Sequence, residues 1–108
     1  MRNANIFVDV DLTLVDANRN LLPGAAEALA SLKDKGCHLW LWSTNGADYA
    51  EKVAKLHLLT SLFDGFAAKP DIVIDDMPGT VLNPFVFDAN GEASWPALAE
   101  KILRKHID

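Results

Sequence analysis

Asn5-Ile6-Phe7-Val8-Asp9-Val10 is a short, nearly continuous run of β-branched and aromatic residues, the pattern of a strand buried on both faces of a parallel sheet. Working outward, Leu12 to Leu22 turns polar at Asp16-Ala17-Asn18-Arg19-Asn20 and reads as a loop. Pro23 then opens a helix whose apolar positions Ala25, Leu29 and Leu32 share one face, and Gly36 is placed to close it. Cys37 to Ser43 reads as a second strand, ending in the polar turn Ser43-Thr44-Asn45-Gly46. A second helix is expected from Ala47 to His57, with Ala50, Val53 and Ala54 inward.

Beyond it, Phe63 to Ala68 holds a short edge strand, and Ile72-Val73-Ile74 ending in Asp75-Asp76 reads as a further buried strand. Pro78, Gly79 and Pro84 mark a loop, Phe85-Val86-Phe87 a fifth strand, and Asp88 to Gly91 a turn. Ser94 caps a terminal helix with Trp95, Leu98 and Ile102 inward. Strands alternating with helices predict an α/β sheet of βαβ units. Two of the connections are too short for crossover helices, so part of the sheet is expected to be bare and to favour a homodimer.

Length and composition set bounds on this reading. With 108 residues, one domain over 1–108 is expected. Half the residues are hydrophobic and 23% are charged, which is the composition of a folding chain rather than a disordered one. A net charge of −5 leaves no basic face for a nucleic-acid backbone. The single cysteine, Cys37, forms no internal disulfide and points to the cytoplasm. Neither a membrane-spanning run nor a leader is legible, so no membrane partner is expected.

Four polar groups stand at or beside strand ends: Asp9 with Asp11, Ser43, Lys69, and Asp75 with Asp76. Ligands of open α/β sheets bind beyond the carboxyl ends of the strands, so three of the four, all but Lys69, which stands before a strand, are expected to converge there. Asp9 and Asp11 stand two apart and project the same way if the strand persists. Clustered carboxylates favour a shared proton or a bound cation, and several carboxylate oxygens beside a phosphate suit Mg2+ better than zinc or calcium. A carboxylate can attack phosphorus, a second can move the proton, and a hydroxyl, backbone N–H groups and a lysine can stabilise the transferred charge.

Asp9-Val10-Asp11-Leu12-Thr13-Leu14, a serine closing the second strand, Lys69-Pro70, and the apolar run ending in Asp75-Asp76 stand in the order of four motifs of the haloacid dehalogenase superfamily, which this sequence resembles over Ile6 to Asp76. The resemblance implies a reduced, three-layer, Rossmann-like fold with a mostly parallel sheet. It also implies a magnesium-dependent phosphatase acting on a small phosphorylated substrate. By it, Asp9 is nucleophile and metal ligand, and Asp11 is acid/base and, through its backbone carbonyl, a metal ligand. Ser43 binds phosphate together with Thr44 and Asn45, Lys69 neutralises charge, Asp75 and Asp76 anchor the metal, and Thr13 supports the turn. Only a loop and a helix separate Asp11 from Ser43, and the next interval is equally short, so no cap domain is expected.

Lys69 stands only six positions before Asp75. If it opened the Ile72–Ile74 strand it would lie roughly 20 Å from the far end at ~3.3 Å per residue. The backbone amides of Asn45 and Gly46, the Asn45 side chain or Arg19 would then substitute for it. Two rival readings are a catalytically degenerate relative that binds or scaffolds, and a receiver-type phosphoacceptor. The receiver fits less well, because its acceptor aspartate follows the third strand. Trp40 and Trp42 are expected in the core or at a dimer contact rather than as a base-stacking platform. His38, His57 and His106 are expected to be packing or surface residues, and Cys37 to be inert.

Overall fold

The computed structural model describes residues 3–77 and 85–108. Three strands, β1 (Asn5–Asp9), β2 (His38–Ser43) and β3 (Gly65–Ala68), form one parallel sheet in the order β1-β2-β3. Helix α1 (Ala25–Asp34) carries the chain from β1 to β2, and α2 (Ala47–Leu56) from β2 to β3. A third helix, α3 (Trp95–Ile102), packs against α1 and continues into a wider turn over Leu103–Ile107. The architecture is α/β and Rossmann-like, with strands and helices alternating through β3. Among the described residues, no helix is long and apolar enough to cross a membrane.

Both helices lie on the same side of the sheet, because two right-handed crossovers that step in one direction deliver their helices to one face. That face is the core. Val8, Leu39 and Leu41 of the sheet are buried together with Leu29 and Leu32 of α1 and Val53 and Ala54 of α2. Gly36, at φ +88°, ends α1 with its N–H donating to Lys33 O. Ser94 caps α3 by accepting from the Ala97 N–H at 3.2 Å.

The opposite face departs from the expectation of a strand buried on both sides. Phe7 is 47% exposed, and Trp40 and Trp42 beside it are half-buried. Parallel register sets Phe7 beside Trp40 and Gly65, and Asp9 beside Trp42 and Ala67, so these residues share one side of the sheet. A side chain at Gly65 would meet the Trp40 ring at 2.7 Å, so glycine there lets the indole lie across β3.

Two expected strands do not form. Ile72-Val73-Ile74 is irregular, with Ile72 83% and Ile74 96% exposed. A parallel neighbour must start again at the amino end of the sheet, which takes a connection of about a dozen residues or more. Lys69, Pro70 and Asp71 alone follow β3. The extension also ends quickly, since Asp75 Oδ1 accepts from the Met77 N–H at 2.8 Å in a tight turn. Phe85-Val86-Phe87 is likewise no strand, and Phe85 and Val86 are exposed. The loop expected at Pro78, Gly79 and Pro84 lies outside the described residues.

The segment after β1 is polar at its tip but apolar at its base. Val10, Leu14 and Val15 are fully buried, and the N–H groups of Leu14 and Val15 donate to Val10 O at 3.0 and 3.2 Å. Trp95 of α3 locks this turn, donating from its indole N–H to Thr13 O at 2.9 Å. Trp95→Ala removes a ring that is 8% exposed together with that hydrogen bond. It is expected to cost about 3–5 kcal/mol in urea unfolding.

Candidate functional site

Asp9 ends β1, and its carboxylate faces the same side of the sheet as Trp42. Ala67 is level with both across β2, and Lys69, two residues further along, follows the carboxyl end of β3. Its Nζ stands 3.2 Å from Asp9 Oδ1 and 5.9 Å from the centroid of the Trp42 ring. Its backbone N–H donates to Ser43 O at 3.0 Å, which fixes the start of the side chain. Lys69 therefore does not open a later strand far from Asp9, as its spacing to Asp75 suggested. It follows the last residue of β3, beside Asp9.

Thr13 donates from Oγ1 to Asp9 Oδ2 at 3.2 Å, so one oxygen of this carboxylate is hydrogen-bonded and the other is ion-paired with Lys69. Asp9 and Lys69 are each 34% exposed, which leaves the pair open to an approaching ligand. A pair this exposed contributes little to stability.

Asp11 is held from another direction. Tyr49 on α2 donates its hydroxyl to Asp11 Oδ1 at 2.6 Å, and Asn45 donates from Nδ2 to Oδ2 at 3.3 Å. Arg19 in turn donates from Nε to the Tyr49 oxygen at 3.4 Å, with its guanidinium 5.7 Å from the centroid of the tyrosine ring. That hydrogen bond pushes the Arg19 pKa further up. The loop carrying Arg19 is braced at two points. His57 Nε2 stands 2.8 Å from Arg19 O, and Asp16 Oδ1 accepts from the N–H groups of Asn20 and Asn18. The Asn20 N–H, before that of Asn18, holds the Asp16 carboxyl below its ordinary value. Because the folded value is lowered, the brace is intact above the usual carboxylate range and is lost as pH falls through the lowered one.

Ser43 is 2% exposed, and alternation along β2 turns it to the core side, opposite Trp42. Its Oγ accepts from the Asn45 N–H at 3.0 Å, and its carbonyl accepts from Gly46 N–H at 3.1 Å. Ser43 thus shapes the turn that presents Thr44 and Asn45, both exposed, while Gly46 at φ +103° leads into α2. No side chain caps α2, so N–H groups of its first turn face the turn without a capping partner.

Asp75 and Asp76 are exposed on the irregular segment. Among the described residues, no three His, Cys, Asp or Glu side chains come together to hold a metal ion. The four acids Asp9, Asp11, Asp75 and Asp76 do not form one cluster, because the strand that was to carry the second pair to the sheet is absent. Cys37 is buried, and burial pushes its thiol pKa up, consistent with an inert packing residue. Tyr49 carried no signal in the sequence, since it stands 38 positions from the carboxylate it binds.

No family model, curated protein or solved structure matches this chain. The site therefore rests on its own geometry: an open carboxylate-lysine pair at one sheet end, flanked by a braced second carboxylate and an exposed polar turn. Lys69→Met is expected to change the urea-unfolding free energy by less than ~1 kcal/mol. A larger loss would make the pair a structural one.

Proposed function

We propose that this chain is a phosphomonoester hydrolase that works through an aspartyl-phosphate on Asp9, as a capless relative of the haloacid dehalogenase superfamily. The observation that carries the reading is the 3.2 Å approach of Lys69 to Asp9 across two strand boundaries, at the sheet end where α/β folds bind ligands. A buried-core role does not account for an exposed ion pair whose carboxylate is also held by Thr13.

In this reading an Asp9 oxygen attacks phosphorus and the ester P–O bond breaks. The leaving oxygen takes a proton from the Asp11 carboxyl. Water then attacks the aspartyl-phosphate, gives its proton to the Asp11 carboxylate, and the bond from phosphorus to Asp9 breaks to release phosphate. Lys69 neutralises charge on the equatorial oxygens, while Thr44, Asn45 and the open N–H groups of α2 provide further donors. Ser43 contributes by holding that turn. Tyr49 and Asn45 fix the direction in which Asp11 faces.

The side chains present do not make a preformed magnesium cage. Thr13 donates to one Asp9 oxygen, the Lys69 ammonium stands 3.2 Å from the other, and no three acids come together among the described residues. No step above passes through a metal. We keep Mg2+ in the proposal as an ion that arrives with the phosphate, the mode in which one or two carboxylates suffice. Magnesium alone is then expected to leave Tm unchanged, whereas magnesium with a phosphate mimic raises it.

Asp9→Asn is expected to abolish hydrolysis of p-nitrophenyl phosphate with an unchanged circular dichroism spectrum, and Lys69→Met to lower kcat by roughly 10²–10³-fold. Turnover retained by Asp9→Asn would remove Asp9 as nucleophile. The missing third acid favours one second reading, a phosphate-binding module without turnover. Calorimetric binding of a phosphate ester that is never hydrolysed, with or without magnesium, would establish it in place of the enzyme.

A further inference from the structure

Among the described residues no helix packs on the side of the sheet away from α1 and α2, and that side is a built aromatic surface. Trp40 lies across β3 because position 65 is glycine, and its indole N–H is tied to Asn5 Oδ1 at 2.9 Å. Phe7 runs nearly parallel to it, with centroids 6.0 Å apart and planes 16° apart, while the Trp42 ring stands 4.8 Å from Phe7 and is tilted 53° to it. The surface is continuous with the candidate site. Asp9 is the next residue of β1 on the same side after Phe7, and Lys69 Nζ stands beside both Asp9 and Trp42.

We propose that Phe7 and Trp40 form a stacking platform, flanked by the tilted Trp42 ring, for a flat aromatic or heteroaromatic ring carried by the phosphate ester that Asp9 and Lys69 receive. The proposal deepens the phosphatase reading and rests on it for the phosphate end of the ligand. A ring on this surface and a phosphate at Lys69 would occupy adjoining stretches of one sheet side. One molecule of nucleotide or aryl phosphate size would engage both.

Area separates this occupant from a second copy of the chain. Phe7 is 47% exposed and the two tryptophans less, so the three rings together offer at most about 300 Å2, given ~150–250 Å2 for a whole aromatic side chain. A stable dimer buries about 800 Å2 on each partner. The rings supply well under half of that, and charged groups bound the strip at both ends: Asp9 and Lys69 at one, His38 and Asp64 at the other. A single ring system fits this extent. Stacking on aromatic side chains accepts any flat π-face, so the platform selects a class of leaving group rather than one compound.

The test compares adenosine monophosphate, ribose 5-phosphate and adenosine by quenching of tryptophan fluorescence, with magnesium present. Adenosine and adenosine monophosphate should quench saturably, and ribose 5-phosphate should bind at least about fivefold more weakly than adenosine monophosphate, the smallest factor that loss of a stacked base implies. Trp40→Leu should weaken adenosine binding by a similar factor, with its fold checked by circular dichroism. If that variant fails to fold, the wild-type comparison of the two phosphates decides alone.

The platform is overturned if adenosine does not bind, if the two phosphates bind equally, or if folded Trp40→Leu binds adenosine as well as wild type. It is also overturned if light scattering shows a wild-type dimer that Trp40→Leu dissociates, since a second copy would then cover the rings. Adenosine has no phosphate and so reads the platform without Asp9. Adenosine binding with no hydrolysis of any ester would therefore refute the phosphatase and leave the platform, and hydrolysis without adenosine binding would do the reverse.

Discussion

The register of β2 between its two neighbours governs what can meet at the sheet end. Asp9 is level with Trp42, and Trp42 with Ala67, so the chain leaving β3 carries Lys69 to the side of the sheet where the Asp9 carboxylate lies. A slip of one residue in either pairing would send one of the two side chains to the other face. The core enforces the register. Val8, Leu39 and Leu41 must lie under α1 and α2, and the alternation that buries them leaves Phe7, Asp9, Trp40 and Trp42 on the open side.

This division of labour between the faces explains why the site is a ledge rather than a cleft. The helical side is closed by Leu29, Leu32, Val53 and Ala54, while nothing among the described helices packs on the aromatic side. The site groups are accessible, and each is oriented by polar contacts rather than by burial. Asp9 has a hydrogen bond from Thr13 and an ion pair with Lys69; Asp11 has hydrogen bonds from Tyr49 and Asn45. The rigidity behind them comes from the apolar base of the loop after β1, pinned by Val10, Leu14, Val15 and the Trp95 indole.

The acidic groups part company for the same reason. Asp9 and Asp11 are attached to a strand and a buried turn, so their positions are inherited from the core. Asp75 and Asp76 follow three apolar residues that have no crossover long enough to return them to the sheet, and they stay on an exposed irregular segment. Apolar character alone did not suffice to make Ile72-Val73-Ile74 a strand. A strand also needs a partner edge within reach.

Local signals in the chain determined the parts that depend on near neighbours. The apolar runs of β1 and β2, the apolar stripes of α1 and α2, the glycine ending α1 and the serine capping α3 are all readable in the sequence, because each rests on contacts within a turn or two or on a simple periodicity. The acid at the end of β1 and the lysine were also legible as candidates. Only the tertiary structure decided that Lys69 belongs to the end of β3 and touches Asp9, that Ser43 turns inward, that Tyr49 holds Asp11, and that the Asp75-Asp76 pair stays apart. Those outcomes depend on strand order, register and the length of each connection, and such long-range constraints leave no periodic trace in the residues they bring together or keep apart.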